Sequence, residues 1–211
     1  MEGIEAQMKK GTTTVGLMFK EGVVLAADRR AAMGYLVASK SAKKILEVTD
    51  RIAMTTAGGV GDNQMLNRYL KSEMKMYEIR KQKKPNVKAT ATILSHILFS
   101  KRMSFTPFLV QIILAGVDEN GPHLYSLDLS GGISEDLYTA TGSGSVVAYG
   151  LLENSYKKGM EMESAVKLAV NAVNVAIQRD IGTGDGIDVM VITKDGIKRL
   201  PEERIKEILK K

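Results

Sequence analysis

The chain has 211 residues, of which 44% are hydrophobic and 26% are charged, so it is long enough for one folded domain and its composition is not that of a disordered protein. It has no cysteine, which excludes disulfides, a thiol nucleophile and a cysteine-ligated metal. The net charge is +6, yet the basic residues are not interleaved with aromatics, which make up only 5%, so the composition does not favour nucleic-acid binding.

No apolar run approaches the roughly 18 residues that a membrane span requires. The first eleven residues carry Glu2, Glu5, Lys9 and Lys10 and have no apolar core, so they are not a secretory signal. We therefore expect a cytoplasmic protein that does not contact a membrane.

The chain opens with two β-type runs, residues 13–19 and 23–27, around a turn at residues 20–22. This spacing predicts a hairpin with Gly22 at a positive φ. Since the hairpin returns on itself, Asp28 at its end should lie beside Thr12 at its start.

The later segments alternate between strand and helix patterns. We predict strands at residues 35–39, 45–48, 51–57, 108–117, 123–129, 133–141, 187–193 and 197–200. We predict helices from an N-cap at Asp62 to about residue 82, at 88–101, from 145 to about 157, at 164–179, and after Pro201. No repeat or linker divides this order, which is typical of a single α+β layered domain.

Gly11 precedes three threonines, which suit an ordinary surface strand because threonine is β-branched. Cleavage of the Gly11–Thr12 bond is the alternative, since it would give Thr12 a free amine beside its own hydroxyl nucleophile. The two histidines do not favour a histidine-based hydrolase: His96 falls in a largely buried helix pattern, and His123 follows a turn. Proton transfer would then depend on amine and carboxylate groups.

Six short motifs accompany this threonine, at residues 11–16, 26–30, 43–45, 56–62, 141–145 and 179–186. Together they resemble the β-subunits of the proteasome, most closely the archaeal type, within the N-terminal nucleophile hydrolases. The resemblance covers residues 10–210. It implies a four-layer α-β-β-α sandwich.

The resemblance also implies a role for each matching position. Residues 1–11 correspond to a propeptide that Thr12 removes by attacking the Gly11 carbonyl, and residues 12–211 to the peptidase domain. Thr12 corresponds to the nucleophile, and Gly58 to a backbone donor for the oxyanion. The remaining catalytic positions are Asp28, Lys44, Ser143, Asp180 and Thr183.

A substrate pocket is implied at Ala31, Ala32, Leu46, Thr56 and Val60. Four of these positions (31, 46, 56 and 60) resemble the pocket for the residue before the cut, and they carry no charge, so we expect cleavage after hydrophobic residues. Two positions depart from the family pattern. The family usually has Ser at the position of Thr183, and it commonly has a hydroxyl residue at the position of Ala32.

By the same resemblance, the partners are other β-subunits in two stacked seven-membered rings, α-subunit rings that cap them, and an ATP-dependent regulator that feeds unfolded polypeptide. No cofactor or metal is implied. A catalytically weak or silent ring subunit that needs a second β-subunit is the alternative. Retention of Thr12, Asp28 and Lys44 argues against it. An amidotransferase-type relative is disfavoured because such enzymes commonly expose Cys or Ser.

Overall fold

The computed structural model describes residues 11–210, and within them it contains twelve strands and five helices. The predicted propeptide lies outside the described residues except for Gly11. The strands are β1 Thr14–Phe19, β2 Gly22–Asp28, β3 Ala31–Met33, β4 Leu36–Ser39, β5 Ile45–Glu47, β6 Ile52–Gly58, β7 Val110–Asp118, β8 Gly121–Leu127, β9 Ile133–Glu135, β10 Tyr138–Thr141, β11 Ile187–Thr193 and β12 Gly196–Arg199. The helices are α1 Val60–Lys81, α2 Val87–Lys101, α3 Ser145–Ser155, α4 Met162–Arg179 and α5 Glu202–Leu209.

Two five-stranded antiparallel sheets form the centre of the fold. The first has the order β10-β1-β2-β11-β12, and the second has the order β5-β6-β7-β8-β9. A separate two-stranded hairpin, β3-β4, follows the end of β2. The predicted first hairpin is confirmed, with Thr14 paired to Ala27 across β1 and β2.

Alternating side chains on these strands build three successive apolar layers. On β2, Val24 and Ala26 pack with helices α3, α4 and α5, whereas Val23 and Leu25 face the second sheet. The outer face of the second sheet packs on α1 and α2. The result is the predicted four-layer α-β-β-α sandwich.

The two sheets approach one another closely at Gly16 on β1. A Cβ at this position would lie 2.7 Å from Leu124 Cδ1 and 2.9 Å from Ile113 Cγ2, both from the second sheet. Because real side chains do not pack at such distances, a larger residue here would push these side chains aside, and glycine lets the sheets meet without that shift.

Several local predictions are wrong. Residues 133–141 form two strands in different sheets, because the chain crosses between the sheets at residues 136–137, where Asp136 N–H donates to Leu124 O and the Leu137 carbonyl accepts from Met18 N–H. The short strand β3 was not predicted. His96 lies on α2 as expected, but its side chain is exposed.

Two turn and cap predictions are also wrong. The first helix begins at Val60 with Gly59 as its N-cap, so Asp62 lies in the first turn, where its carboxylate accepts from Leu109 N–H at 3.4 Å. Gly22 does not have a positive φ. Glycine is needed there because a Cβ would lie 2.1 Å from Ile192 O on the neighbouring strand.

Several predicted site residues lie together at the ends of strands in the two sheets. Thr12 lies two residues before the start of β1, Asp28 ends β2, and β11 begins opposite Asp28 at Ile187. Lys44 and Gly58 lie at the matching ends of β5 and β6 in the second sheet. Between residues 11 and 210, none of the helices is long and apolar enough to cross a membrane.

Candidate active site

Thr12 is buried, with 5% of its surface exposed, at the start of the first sheet. Its hydroxyl Oγ1 donates to the carbonyl oxygen of Gly11 at 2.6 Å. Its backbone N–H donates to Ser143 Oγ at 3.2 Å, and its own carbonyl accepts from Gly144 N–H at 3.3 Å. The hydroxyl, the Gly11–Thr12 peptide and the loop before α3 are therefore held in one place.

Asp28 is fully buried, and both of its carboxylate oxygens are hydrogen-bonded. Oδ1 accepts from Thr13 N–H at 2.9 Å and from Lys44 Nζ at 2.7 Å. Oδ2 accepts from Arg30 N–H and from Gly184 N–H, each at 3.0 Å. Four donors from separate stretches of the chain therefore fix this carboxylate beside the residue that follows Thr12.

The Lys44 ammonium is almost as deeply buried as its partner. Burial lowers the pKa of Lys44 below its ordinary value, because the charged form loses its hydration, while the Asp28 charge and hydrogen bond act in the opposite direction. The Lys44 carbonyl is also held, since it accepts from Thr56 N–H at 2.8 Å. Asp28 is therefore the main group that favours the charged form of Lys44, with a smaller contribution from the charge of Asp180.

A second polar network lies on the other side of Thr12. Asp180 follows α4, and its Oδ2 accepts from Ser143 Oγ at 2.6 Å and from Thr183 Oγ1 at 2.5 Å. The Thr183 and Thr13 hydroxyls are 2.8 Å apart. The structure thus connects the Thr12 nitrogen through Ser143 to Asp180 and Thr183, four of the positions that the sequence singled out.

Arg30 anchors the loop that carries this network, residues 181–185. Its Nε donates to Asp185 Oδ2 at 2.7 Å, and its Nη1 donates to Ile181 O at 2.9 Å. The Arg30 guanidinium also lowers the pKa of Asp185 through this hydrogen bond. Arg30 and Asp185 occur in the sequence motifs, but sequence reasoning gave neither of them a role. Their charges were the only signal that could have paired them.

A cavity of about 430 Å³ opens beside Thr12, and we call it the Thr12 cavity. Gly58, at the end of β6, contributes backbone to its wall. It has a φ of 112°, and a Cβ would lie 2.0 Å from Leu109 O, so only glycine fits. All five predicted pocket residues line the cavity, with Lys44. Sequence reasoning missed five further lining residues: Ser39, Ala42, Lys43, Asn63 and Gln64.

The two histidines lie elsewhere. The His123 ring contacts Glu135 at 2.8 Å in the second sheet, and His96 is on the outer face of α2. Among residues 11–210, no cluster of His, Asp and Glu has the arrangement of a metal site. The polar groups around Thr12 are therefore amine, hydroxyl, carboxylate and backbone N–H groups.

The chain is similar in sequence to known proteins over nearly its whole length. The profile of the family described as proteasome subunit matches residues 8–192. A proteasome subunit beta of Archaeoglobus profundus is 53% identical over 98% of this chain and 95% of its own length. The same-named proteins of Methanopyrus kandleri and Archaeoglobus fulgidus are 48% and 49% identical, over 96% and 100% of this chain and 97% and 99% of theirs.

Proposed function

The chain belongs to the proteasome subunit family as a β-subunit, and on that basis we propose that it is a threonine peptidase of the proteasome core with Thr12 as its nucleophile. The observation that carries the proposal is the 2.6 Å contact between Thr12 Oγ1 and the carbonyl oxygen of the preceding residue, Gly11. The buried ion pair of Asp28 and Lys44 beside it supplies the charge that such a nucleophile needs.

The first reaction would be removal of residues 1–11. Thr12 Oγ1 bonds to the Gly11 carbonyl carbon, the bond from that carbon to the Thr12 nitrogen breaks, and the hydroxyl proton passes to the nitrogen. Water then hydrolyses the resulting ester, which releases the Gly11 carboxylate and restores the hydroxyl. The product is residues 12–211, a single peptidase domain with a free amine on Thr12.

In the mature enzyme, that amine would act as the general base. A free α-amine has a pKa of about 8, so it can accept the hydroxyl proton near neutral pH. The Lys44 ammonium favours the alkoxide by its charge, and Ser143, with Asp180 and Thr183 behind it, orients the amine. The Gly58 N–H would stabilise the oxyanion of the substrate.

The Thr12 cavity would receive the substrate residue that precedes the cut. Ala31, Leu46 and Val60 give it an apolar wall. Its charged lining residues are Lys43 and Lys44, which disfavour a basic side chain. We therefore propose cleavage after hydrophobic residues. Ala32 also lines the cavity, without the hydroxyl that the family commonly has there.

We further propose that the chain assembles with other β-subunits into stacked seven-membered rings, capped by α-subunit rings through which an ATP-dependent regulator delivers unfolded polypeptide. The proposal rests on the family membership. A catalytically weak ring subunit, dependent on a second β-subunit, is the alternative that the experiment below separates from it.

The test is the intact mass of the chain after co-expression with an archaeal α-subunit, for wild type, Thr12→Ala and Thr92→Ala. Thr92 lies on α2, away from the site, and so controls for loss of a threonine. We expect wild type and Thr92→Ala to lose residues 1–11 and Thr12→Ala to keep them. The processed enzyme should then hydrolyse peptides with Leu, Tyr or Phe before the cut faster than those with Arg or Glu. Retention of residues 1–11 in wild type would instead support the weak-subunit alternative.

A further inference from the structure

Gly11, the residue before the proposed cut, packs directly against Gly182 in the loop after α4. Both residues are buried. A Cβ on Gly11 would lie 2.0 Å from Gly182 Cα and 2.3 Å from Gly182 O, and a Cβ on Gly182 would lie 2.2 Å from Gly11 Cα. The two backbones are in van der Waals contact, and neither position has room for a side chain.

The loop that carries Gly182 is held on both sides. Arg30 binds the Ile181 carbonyl at 2.9 Å, and Asp180 Oδ1 accepts from Gly182 N–H at 3.3 Å. The next residues are fixed as well, since Thr183 bonds to Asp180 and Gly184 N–H bonds to Asp28. A side chain at position 182 would therefore displace Gly11 rather than the loop.

We propose that Gly182 is a positioning residue for self-cleavage: its missing side chain lets the loop seat Gly11 so that the Gly11 carbonyl lies against Thr12 Oγ1. The inference rests on the proposed function. It adds the requirement that a residue of the peptidase domain, distant in sequence from the scissile bond, lacks a side chain. Displacing Gly11 moves the carbonyl carbon away from the oxygen that must bond to it. A misplacement of about 1 Å lowers the rate of such a step on the order of 100-fold.

The requirement is confined to the precursor. The three heavy atoms nearest to a Cβ on Gly182 all belong to Gly11, and the third of them is already 3.3 Å away. Once residues 1–11 have left, those atoms are gone, and every remaining atom outside the two neighbouring residues lies 3.3 Å or more from the added methyl carbon. Gly182→Ala should therefore slow processing and leave peptide hydrolysis by the mature enzyme unchanged.

The test compares wild type, Gly182→Ala and Gly150→Ala in two forms, both assembled with the α-subunit. One form is the full precursor, and the other begins at Thr12 because a separate protease has removed a carrier fused before it. Gly150 lies on α3, and apart from the nearby backbone of its own helix and its chain neighbours no atom lies within 4 Å of an added Cβ, so Gly150→Ala is the matched control. Precursor processing is followed by intact mass, and the mature form by hydrolysis of a leucine peptide.

We expect the Gly182→Ala precursor to lose residues 1–11 on the order of 100-fold more slowly than wild type, while mature Gly182→Ala hydrolyses the peptide at the wild-type rate. Processing of Gly182→Ala at the wild-type rate would overturn this inference alone. The inference would also be overturned if mature Gly182→Ala lost peptide hydrolysis by the same factor as its precursor loses processing rate, because equal losses indicate a structural role. If the wild-type precursor itself stays uncut, the proposed function fails and this inference falls with it.

Discussion

Replacing Asp28 by Asn tests whether the buried carboxylate holds the site together. The exchange keeps the shape of the side chain and removes its charge, and it converts one of the two acceptor oxygens into a donor. Whichever way the amide turns, two of the four donors lose their acceptor: Thr13 N–H and Lys44 Nζ on one side, or the N–H groups of Arg30 and Gly184 on the other.

The expected cost is large because none of these groups can reach water easily. Removing one partner of a buried ion pair destabilises a protein by about 3–5 kcal/mol, since the remaining charge is left buried and uncompensated. We therefore expect Asp28→Asn to lower the free energy of unfolding by about 3–5 kcal/mol at pH 7. Asp195→Asn, an exposed turn position, should change it by less than about 0.5 kcal/mol.

The measurement is urea unfolding of the isolated chain in a Thr12→Ala background, so that all variants keep residues 1–11. Without the Asp28 charge, burial lowers the pKa of Lys44 further, and the folded state binds fewer protons than the unfolded state. The free energy of unfolding then rises with pH up to the unfolded lysine pKa of about 10.4, so the deficit of Asp28→Asn should shrink from pH 7 to pH 9. A loss below about 1 kcal/mol at pH 7 would refute the reasoning.

Two further predictions concern the loop after α4. Thr183→Val removes the hydroxyl that bonds to Asp180 and Thr13, so we expect a loss of about 1–3 kcal/mol in urea unfolding. Thr183→Ser keeps the hydroxyl and should lose only about 0.8 kcal/mol for the methyl group; equal losses would contradict this explanation. Arg30→Met removes the bonds to Asp185 and Ile181 and should cost about 1–3 kcal/mol at pH 7. Because Arg30 lowers the pKa of Asp185, the ion pair's contribution is present above the unfolded pKa of about 4 and is lost as the pH falls through the lower folded pKa. The difference between Arg30→Met and wild type should therefore narrow in acid, and a constant difference would count against the ion pair.

Much of the fold could be predicted from the sequence because the signals are local. Strands such as β2 and β11 are short apolar runs bounded by glycine and charged residues, and α4 has a single apolar stripe. The division of residues 133–141 between two sheets could not be predicted, because Ile133 and Tyr138 look alike in a strand pattern and only tertiary pairing separates them. The predicted N-cap at Asp62 is wrong for a similar reason. Gly59 N–H bonds to Leu109 O, and this contact moves the helix start upstream.

The site residues could be predicted from sequence motifs, whereas only the structure shows which motifs contact one another. Nothing local marks Arg30 as the partner of Asp185, or Gly11 as the neighbour of Gly182, since the members of each pair lie at opposite ends of the chain. The lining residues Asn63 and Gln64 were missed because a helix pattern shows which face is apolar but not which cavity its first turn adjoins.

The four donors around Asp28 come from the residue before β1, the segment after β2, the segment before β5 and the loop before β11. They can converge only after β1, β2, β5 and β11 have come together in the two sheets. If Thr12 is the nucleophile, as we propose, a partly folded chain lacks the Asp28–Lys44 ion pair beside it, and we expect no self-cleavage before folding is complete. The proposed activity is in this way coupled to completion of the tertiary structure.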